Sequence, residues 1–264
     1  MGVFDSMRAN QIGTKAYRLH ASAMQLRRSH KYEESEAKLN EAMKLYEEAY
    51  SLGFRKTNAL DGYAILLMRR GNFERAREIM LECSKDKSMS PDDRFALRID
   101  FAICQWKMGK LDKAIETLNN AAQYKKNGTL YTTLGMLLVE QARQTGSLDT
   151  ALQLNQEAYE YDDEDAGVLD NMGQMELLMS DKARGDGDDG QVAEHRGKAM
   201  EYFKKAYELK PDQISSTYYL ARMYHENGMD DKAAQLVDEI LKIPFSAIMQ
   251  VAKDEVLALQ KELN

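Results

Sequence analysis

The stretch Gly109-Lys110-Leu111-Asp112-Lys113-Ala114 recurs along the chain and decides the fold. Gly71-Asn72-Phe73-Glu74-Arg75-Ala76 and Gly146-Ser147-Leu148-Asp149-Thr150-Ala151 have the same glycine, followed five positions later by the same alanine. This alanine marks six units in all, at Ala42, Ala76, Ala114, Ala151, Ala199 and Ala233. The separations between the markers are 34, 38, 37, 48 and 34 residues. Self-similarity at this period predicts a helical repeat array.

Each marker alanine lies on one face of a predicted helix. In the first unit, Tyr46 follows Ala42 after four positions and Ala49 follows after seven, so the three side chains share a helix face. A second helix precedes it, across a turn glycine, and carries a small residue of its own. The turn glycines are Gly71, Gly109, Gly146 and Gly228, and the small residues are Ala64, Ala102, Gly135, Gly173 and Ala221. Small residues let helices approach closely, so each unit is predicted to be a pair of antiparallel helices.

These units resemble the tetratricopeptide repeat. Besides the stretches quoted above, the fifth unit ends in Ala206-Tyr207-Glu208-Leu209-Lys210-Pro211-Asp212, which is similar to the family's usual exit from its second helix. The resemblance covers about residues 10–245. It implies an all-α fold, a right-handed superhelical solenoid of about six antiparallel helix pairs plus a C-terminal capping helix. The first unit lacks the turn glycine and has its turn near Ser29-His30-Lys31.

Because repeats stack only on their neighbours, we expect one continuous domain over residues 1–264. The predicted units span 10–53, 57–90, 91–127, 128–165, 166–212 and 213–245, and the capping helix spans 246–263. The interval of 48 residues contains an insertion in the fifth unit, where aspartate and glycine alternate within 181–190. Such residues bury little apolar surface. We therefore expect a solvated loop there, with calcium binding and docking of a basic partner as alternative roles.

Charge and cysteine content narrow the partner and the compartment. The formal net charge is −7, from 43 acidic and 36 basic residues, which disfavours nucleic-acid binding because that needs clustered lysine and arginine. No apolar run reaches the roughly 18 residues of a membrane span, so no membrane association is predicted. Cys83 and Cys104 are expected to be free and buried, as in a reducing, cytoplasmic compartment.

The sequence offers no catalytic or metal-binding constellation. The four histidines, His20, His30, His195 and His225, are scattered and form no metal-ligand spacing. Acidic residues are plentiful, but nothing singles out one pair as a general acid and base. The sequence therefore predicts a protein that is not an enzyme and that uses no cofactor and no metal.

The first helix of each unit lines an inner groove in tetratricopeptide arrays, and the resemblance assigns positions 2, 5, 9 and 12 of that helix to the groove. The candidate partner-binding residues chosen on this basis are Asp61, Ile65, Met68, Ile99, Ile103, Trp106, Thr132, Met136, Tyr218 and Arg222. The middle of this groove is apolar and contains the only tryptophan of the chain. An exposed apolar patch on a protein usually marks an interaction site.

We therefore expect a scaffold that binds a protein or peptide partner, as a helix or an extended segment, in an apolar groove. The alternatives are packing of these residues inside the chain, self-association into a structural oligomer, and a regulatory module that responds to a peptide or small ligand. Members of the family that hold the acidic tails of heat-shock chaperones use groove lysines, arginines and asparagines. Here the corresponding positions hold Asp61, Ile65, Ile99 and Ile103, so binding of such tails is not expected.

Overall fold

The computed structural model describes residues 3–263, and within this range it contains thirteen α-helices and no strand. The all-α class predicted from the repeat pattern is confirmed. The helices are α1 Val3–Arg28, α2 Tyr32–Ser51, α3 Thr57–Arg69, α4 Phe73–Cys83, α5 Pro91–Lys107, α6 Leu111–Ala122, α7 Gly128–Thr145, α8 Asp149–Tyr161, α9 Ala166–Gly185, α10 Asp189–Leu209, α11 Ile214–Glu226, α12 Asp230–Leu241 and α13 Lys253–Glu262.

The chain forms two compact units, named unit 1 and unit 2 below. Unit 1 comprises Met1–Met108 and Ser246–Ile248, and unit 2 comprises Gly109–Phe245 and Met249–Asn264. Helices α1 to α5 therefore belong to unit 1, and α6 to α13 belong to unit 2. The organisation as a single domain stays a prediction.

The core of unit 1 is built from small residues and stacked tyrosines. Ala9, Ala16 and Ala23 recur every seven residues along α1, and all three are buried. This small-residue face lets α1 pack closely on α2. Tyr46 of α2 and Tyr63 of α3 stack with their ring centroids 5.4 Å apart, an arrangement that adds attraction to the large area these rings bury.

Two helix glycines lie directly under aromatic rings. A Cβ atom at Gly13 in unit 1 would lie 2.6 Å from the ring of Phe54, and one at Gly173 in unit 2 would lie 2.6 Å from the ring of Phe203. Both rings are buried, so neither has solvent into which it can move. Only a residue without a Cβ atom allows this approach, which explains the small residue predicted at Gly173.

The predicted turn residues adopt the left-handed backbone conformation. The φ angle is 82° at Gly71, 74° at Gly109, 77° at Gly146 and 69° at Gly228. Glycine is favoured in this region because it has no Cβ atom to clash with the backbone. In the first repeat His30 takes this conformation instead, with a φ of 56°, in the turn predicted around residues 29–31.

The loop predicted over residues 181–190 is wrong, because most of these residues are helical. Helix α9 continues to Gly185 and α10 begins at Asp189, so only residues 186–188 form a turn. The extra residues of the fifth repeat therefore lengthen both of its helices, α9 to 20 residues and α10 to 21 residues.

The aspartates and glycines of this turn have local structural roles. Asp188 caps α10 by accepting the backbone N–H of Gln191 at 2.9 Å, and Gly187 supplies a φ of 77°. Residues 185–190 also have the GxGxxG spacing of nucleotide-binding loops. That motif requires a preceding strand, whereas this stretch follows a helix.

The capping helix predicted over 246–263 is shorter in the structure, where α13 begins at Lys253. The residues before it make contacts that a continuous helix would break. The N–H of Ala247 donates to the carbonyl of Arg69 at 3.0 Å within unit 1. The side chain of Gln250 forms hydrogen bonds within unit 2. These contacts hold the segment in an irregular conformation.

Candidate interaction surfaces

Four of the six predicted groove residues of unit 1 are partly exposed. Asp61 and Ile65 lie on α3, and Ile103 and Trp106 lie on α5. Helix α3 packs on α5, so the structure places these side chains on neighbouring helices. The ammonium group of Lys107 lies 3.9 Å from the centre of the Trp106 ring, within cation–π distance. A role of these residues in binding stays a prediction.

Met68 and Ile99 do not lie on a surface, which corrects the predicted groove. Met68 is only 1% exposed and belongs to the core of unit 1. Ile99 follows Phe95 by four positions and precedes Ala102 by three, and all three side chains are buried. This face of α5 therefore points into the protein. The position of a residue within its helix did not predict the burial of these two.

The predicted residues of unit 2 lie on α7 and α11. Thr132 and Met136 of α7 are partly exposed, and Arg222 of α11 is exposed. Tyr218 is buried, which corrects its placement on the groove surface, and its ring meets that of Tyr219 edge-on at 5.6 Å. Helices α7 and α11 both pack on α9, from which the sequence analysis selected no candidate.

Helix α9 carries a buried polar network that the sequence analysis missed. Gln174, only 1% exposed, donates to the carboxylate of Asp170 at 3.1 Å and exchanges hydrogen bonds of 3.1 and 2.8 Å with Gln250. Its side-chain oxygen accepts a hydrogen bond from Arg143 at 3.0 Å. Asp170 and Gln174 are the fifth and ninth residues of α9. The groove positions used for the other repeats, applied to the fifth repeat, would have selected Asp170 and Gln174.

The carboxyl group of Asp170 has an unusual environment. Burial raises its pKa to about 7, against the lowering effects of hydrogen bonds from Ser215 and Gln174 and of the charge of Arg143. Within residues 3–263, its Oδ1 atom has no hydrogen-bond partner. Because a buried carboxylate is costly to ionise, this group titrates near neutral pH.

A cavity of about 350 Å³ in unit 2 is lined by arginines from four helices and has Gln174 in its wall. The four, called the cavity arginines below, are Arg143 of α7, Arg184 of α9, Arg196 of α10 and Arg222 of α11. Glu226 pairs with both Arg196 and Arg222. Arg184 pairs with Asp181 at 2.9 Å. This cavity presents guanidinium groups to solvent.

A cleft of about 530 Å³ in unit 1 is lined by carboxylates instead. Asp61, Asp86 and Asp93 lie in its wall, together with Lys56. Burial, and then the charge of Asp93, raise the pKa of Asp61 to about 6. One buried oxygen of Asp61 accepts no hydrogen bond in the part of the chain that the structure describes. The acidic lining of the cleft therefore suits a cationic group.

No protein-family model matches the chain, and no curated protein matches it. The chain is similar to the crystal structure of TTC0263, a thermophilic TPR protein of Thermus thermophilus, with a TM-score of 0.55 and 20% identity over 79% of this chain and 97% of that chain. It is also similar to human IFIT1, in a dimer with PPP-AAAA, with a TM-score of 0.58 and 17% identity. That match covers 77% of this chain and 46% of IFIT1.

A third similar structure is the APC/C hetero-tetramer Cut9–Hcn1, with a TM-score of 0.55 and 14% identity over 94% of this chain and 46% of that chain. The chain thus spans about half the length of IFIT1 and of this third relative. These likenesses show the fold, which is a TPR-like helical repeat, as the sequence pattern predicted. Among residues 3–263, no helix combines the length and the apolar character that a membrane crossing requires.

Proposed function

We propose that this protein is a non-catalytic, cytoplasmic interaction scaffold that binds a protein segment on the α3–α5 face of unit 1. The proposal is carried by one combination of partly exposed side chains: the apolar Ile65 and the carboxylate of Asp61 on α3, and the apolar Ile103 and Trp106 on α5. Helical repeats present such rows of side chains on successive helices, and these rows form extended binding surfaces. Three exposed or partly exposed residues of unit 2 stay in the proposal as a separate contact surface: Thr132, Met136 and Arg222.

The partner expected on this face carries apolar side chains and at least one lysine or arginine. Trp106 supplies a large aromatic contact of the type that dominates interface energetics. The carboxylate of Asp61, which lines the cleft, would attract a cationic side chain, and the positive charge would favour its ionised form. The formal net charge of −7 favours the approach of a basic partner.

Selection from a displayed library of random peptides tests this proposal with the wild-type protein as bait. We expect the selected peptides to combine apolar residues with lysine or arginine. Trp106→Ala should weaken their binding by about 2 kcal/mol, roughly 30-fold, because it removes the aromatic contact. Asp61→Asn should have a smaller effect and should reduce the salt dependence of binding. Fluorescence anisotropy of a labelled peptide measures both effects.

Leu81→Ala is a matched control, because Leu81 is an exposed apolar residue on α4 of the same unit. The proposed face is contradicted by a folded Trp106→Ala protein that binds like the wild type, or by an equal loss in both variants. Light scattering tests self-association. A dimer that Ile103→Asp dissociates would show that a second copy of the chain occupies this face.

A further inference from the structure

The cavity arginines of unit 2 carry more charge than their ion-pair partners neutralise. In the part of the chain that the structure describes, these four guanidinium groups form ion pairs with three carboxylates, which are Glu140, Asp181 and Glu226. Four positive charges therefore pair with three negative ones, in a chain whose formal net charge is −7. A further carboxyl group near Arg143, that of Asp170, is buried and its pKa is raised to about 7. The excess is local and opposite in sign to the whole molecule.

An arginine cluster in unit 1 provides the comparison. Arg55, Arg70 and Arg75 line a cavity of about 780 Å³, together with Glu47. Arg55 and Arg75 each form an ion pair with a carboxylate that no other arginine shares, whereas Glu36 pairs with both Arg70 and Arg27. Arg55 and Arg75 also lie over the ring of Tyr50, at 4.0 and 4.7 Å from its centre. The charges of Arg55 and Arg75 are therefore neutralised by unshared carboxylates within unit 1, unlike those of Arg196 and Arg222, which share Glu226.

The cavity arginines are also able to reach a ligand. Their side chains are between 27% and 57% exposed. Arg196 and Arg222 share the one carboxylate of Glu226, although a guanidinium group has five N–H donors and binds a carboxylate with two. The oxygen of Gln174 holds Arg143 at 3.0 Å, which positions its guanidinium group at the cavity wall.

We infer that this cavity binds a phosphomonoester group on a protein segment. A phosphomonoester carries about −1.5 to −2 charge at pH 7 and has three terminal oxygens that accept hydrogen bonds, so several guanidinium groups can contact it together. A carboxylate has only two oxygens and one charge. The cavity, at about 350 Å³, is near the lower end of the size range of ligand pockets. A phosphorylated side chain fits this size.

The group is assigned to a protein segment because of the charge of the chain. Nucleic-acid binding depends on many lysine and arginine contacts with successive phosphates, and it is disfavoured by a formal net charge of −7. That the phosphomonoester group is carried by a protein segment rests on the proposed scaffold function. The site itself does not rest on the α3–α5 face, because its residues all belong to unit 2. It shares only Arg222 with the second contact surface of the proposed function.

Calorimetric titration of the full chain with three matched peptides tests the inference. The peptides have capped ends and neutral residues, with phosphoserine, serine or glutamate at the centre. We expect saturable binding of the phosphoserine peptide, and weak or no binding of the other two. The affinity should fall as the salt concentration rises, because the contacts are charged and partly exposed.

Substitutions in the cavity should change this affinity in opposite directions. Arg196→Gln and Arg222→Gln should each weaken binding of the phosphoserine peptide by about tenfold or more, because each removes a charge-assisted hydrogen bond. Glu226→Gln should strengthen binding, since its carboxylate competes for the same two arginines. Arg55→Gln, at the arginine of unit 1 that pairs with Glu82, removes the same charge and should leave the affinity unchanged. Circular dichroism confirms that each variant is folded.

Any of the following results would overturn the inference. The first is equal binding of the phosphoserine and serine peptides, or an equal loss in Arg222→Gln and Arg55→Gln. The second is tighter binding of a 5′-phosphorylated oligonucleotide, which would assign the cavity to nucleic acid. The third is binding of inorganic phosphate without binding of the phosphoserine peptide, which would assign it to small phosphate compounds.

The Trp106→Ala protein separates this inference from the proposed scaffold function. It leaves the cavity unchanged, so it should bind the phosphoserine peptide like the wild type while losing the peptides selected on the α3–α5 face. A wild-type protein that binds the phosphoserine peptide but selects no peptide on the α3–α5 face would contradict the scaffold surface alone. The reverse result would contradict the cavity alone.

Discussion

Units 1 and 2 are built on the same kind of small-residue repeat, but the cleft around Asp61 in unit 1 and the cavity beside Gln174 in unit 2 are lined by opposite charges. In unit 1 the cleft around Asp61 is lined by carboxylates, whereas in unit 2 four helices contribute arginines to one cavity. The repeat positions that pack helices together are alike in both units: Ala42 and Ala199 are fully buried. The difference in charge comes from the residues that line the cleft and the cavity, whose identity the packing of the helices does not restrict. The fold is therefore compatible with either charge, and the recognition chemistry depends on these variable positions.

Both units contain buried oxygen atoms without a hydrogen-bond partner in the described residues, but other buried polar side chains are bonded differently in the two units. The hydroxyl group of Tyr46 in unit 1 is buried, and it has no hydrogen-bond partner within the described residues. In unit 2, Tyr131 donates to Glu157 at 2.7 Å, and Gln174 and Asn171 are buried with hydrogen bonds to neighbouring helices. Buried polar networks restrict the geometry of a core more strongly than apolar contacts do. Unit 2 thus holds its cavity on a hydrogen-bonded framework.

The largest effect on stability is expected from truncating the two rings that cover a helix glycine, Phe54 in unit 1 and Phe203 in unit 2. Phe54→Ala in unit 1 and Phe203→Ala in unit 2 should each lower the free energy of unfolding by about 3–5 kcal/mol, because each leaves a cavity in a packed core. Denaturant unfolding followed by circular dichroism measures both. Leu209→Ala, at an exposed site, should change stability by less than about 0.5 kcal/mol. A large difference between the free energies of unfolding of the two phenylalanine variants would contradict a similar core in the two units.

Asp170→Asn should raise stability in a pH-dependent way. The folded-state pKa of about 7 lies above the ordinary value of 3.8, so the folded protein loses stability relative to the unfolded chain as pH rises from 3.8 to 7. The neutral asparagine avoids this loss. The gain should be absent below pH 4 and should reach at most about 4 kcal/mol above pH 7, since one pKa unit corresponds to roughly 1.4 kcal/mol.

Denaturant unfolding of both proteins at several pH values measures the effect. Asp163→Asn, at an exposed site of the same unit, serves as the control and should show no such gain. A constant difference between Asp170→Asn and the wild type at all pH values would contradict the ionisation of a buried carboxyl group.

The smallest effect distinguishes the hydroxyl groups of the two units. Tyr46→Phe should leave the free energy of unfolding unchanged or raise it by up to about 1 kcal/mol, because it removes a buried hydroxyl group without a partner. Tyr131→Phe should lower it by about 1 kcal/mol, because it removes the hydrogen bond to Glu157. Thermal unfolding of both variants measures the sign of each change in stability. Equal destabilisation would remove this difference between the units.

The sequence predicted the helices more accurately than it predicted the surfaces. The turn glycines and the marker alanines were assigned correctly, since each depends on local backbone conformation or on one neighbouring helix. Met68, Ile99 and Tyr218 were placed on a surface and are buried, because their burial depends on how several helices pack around them. The loop predicted over 181–190 failed because glycine and aspartate there terminate and cap two long helices.

By itself, the sequence determined that this protein is an all-α helical repeat, because a period of small and apolar residues specifies which helix faces must pack. It also determined where most helices turn, because a glycine with positive φ leaves few alternatives. Only the tertiary structure decided which charges meet. Arg143 and Arg222 are far apart in the sequence, and their shared cavity exists because α7 and α11 both pack on α9. Such proximity depends on long-range packing, which no local pattern encodes.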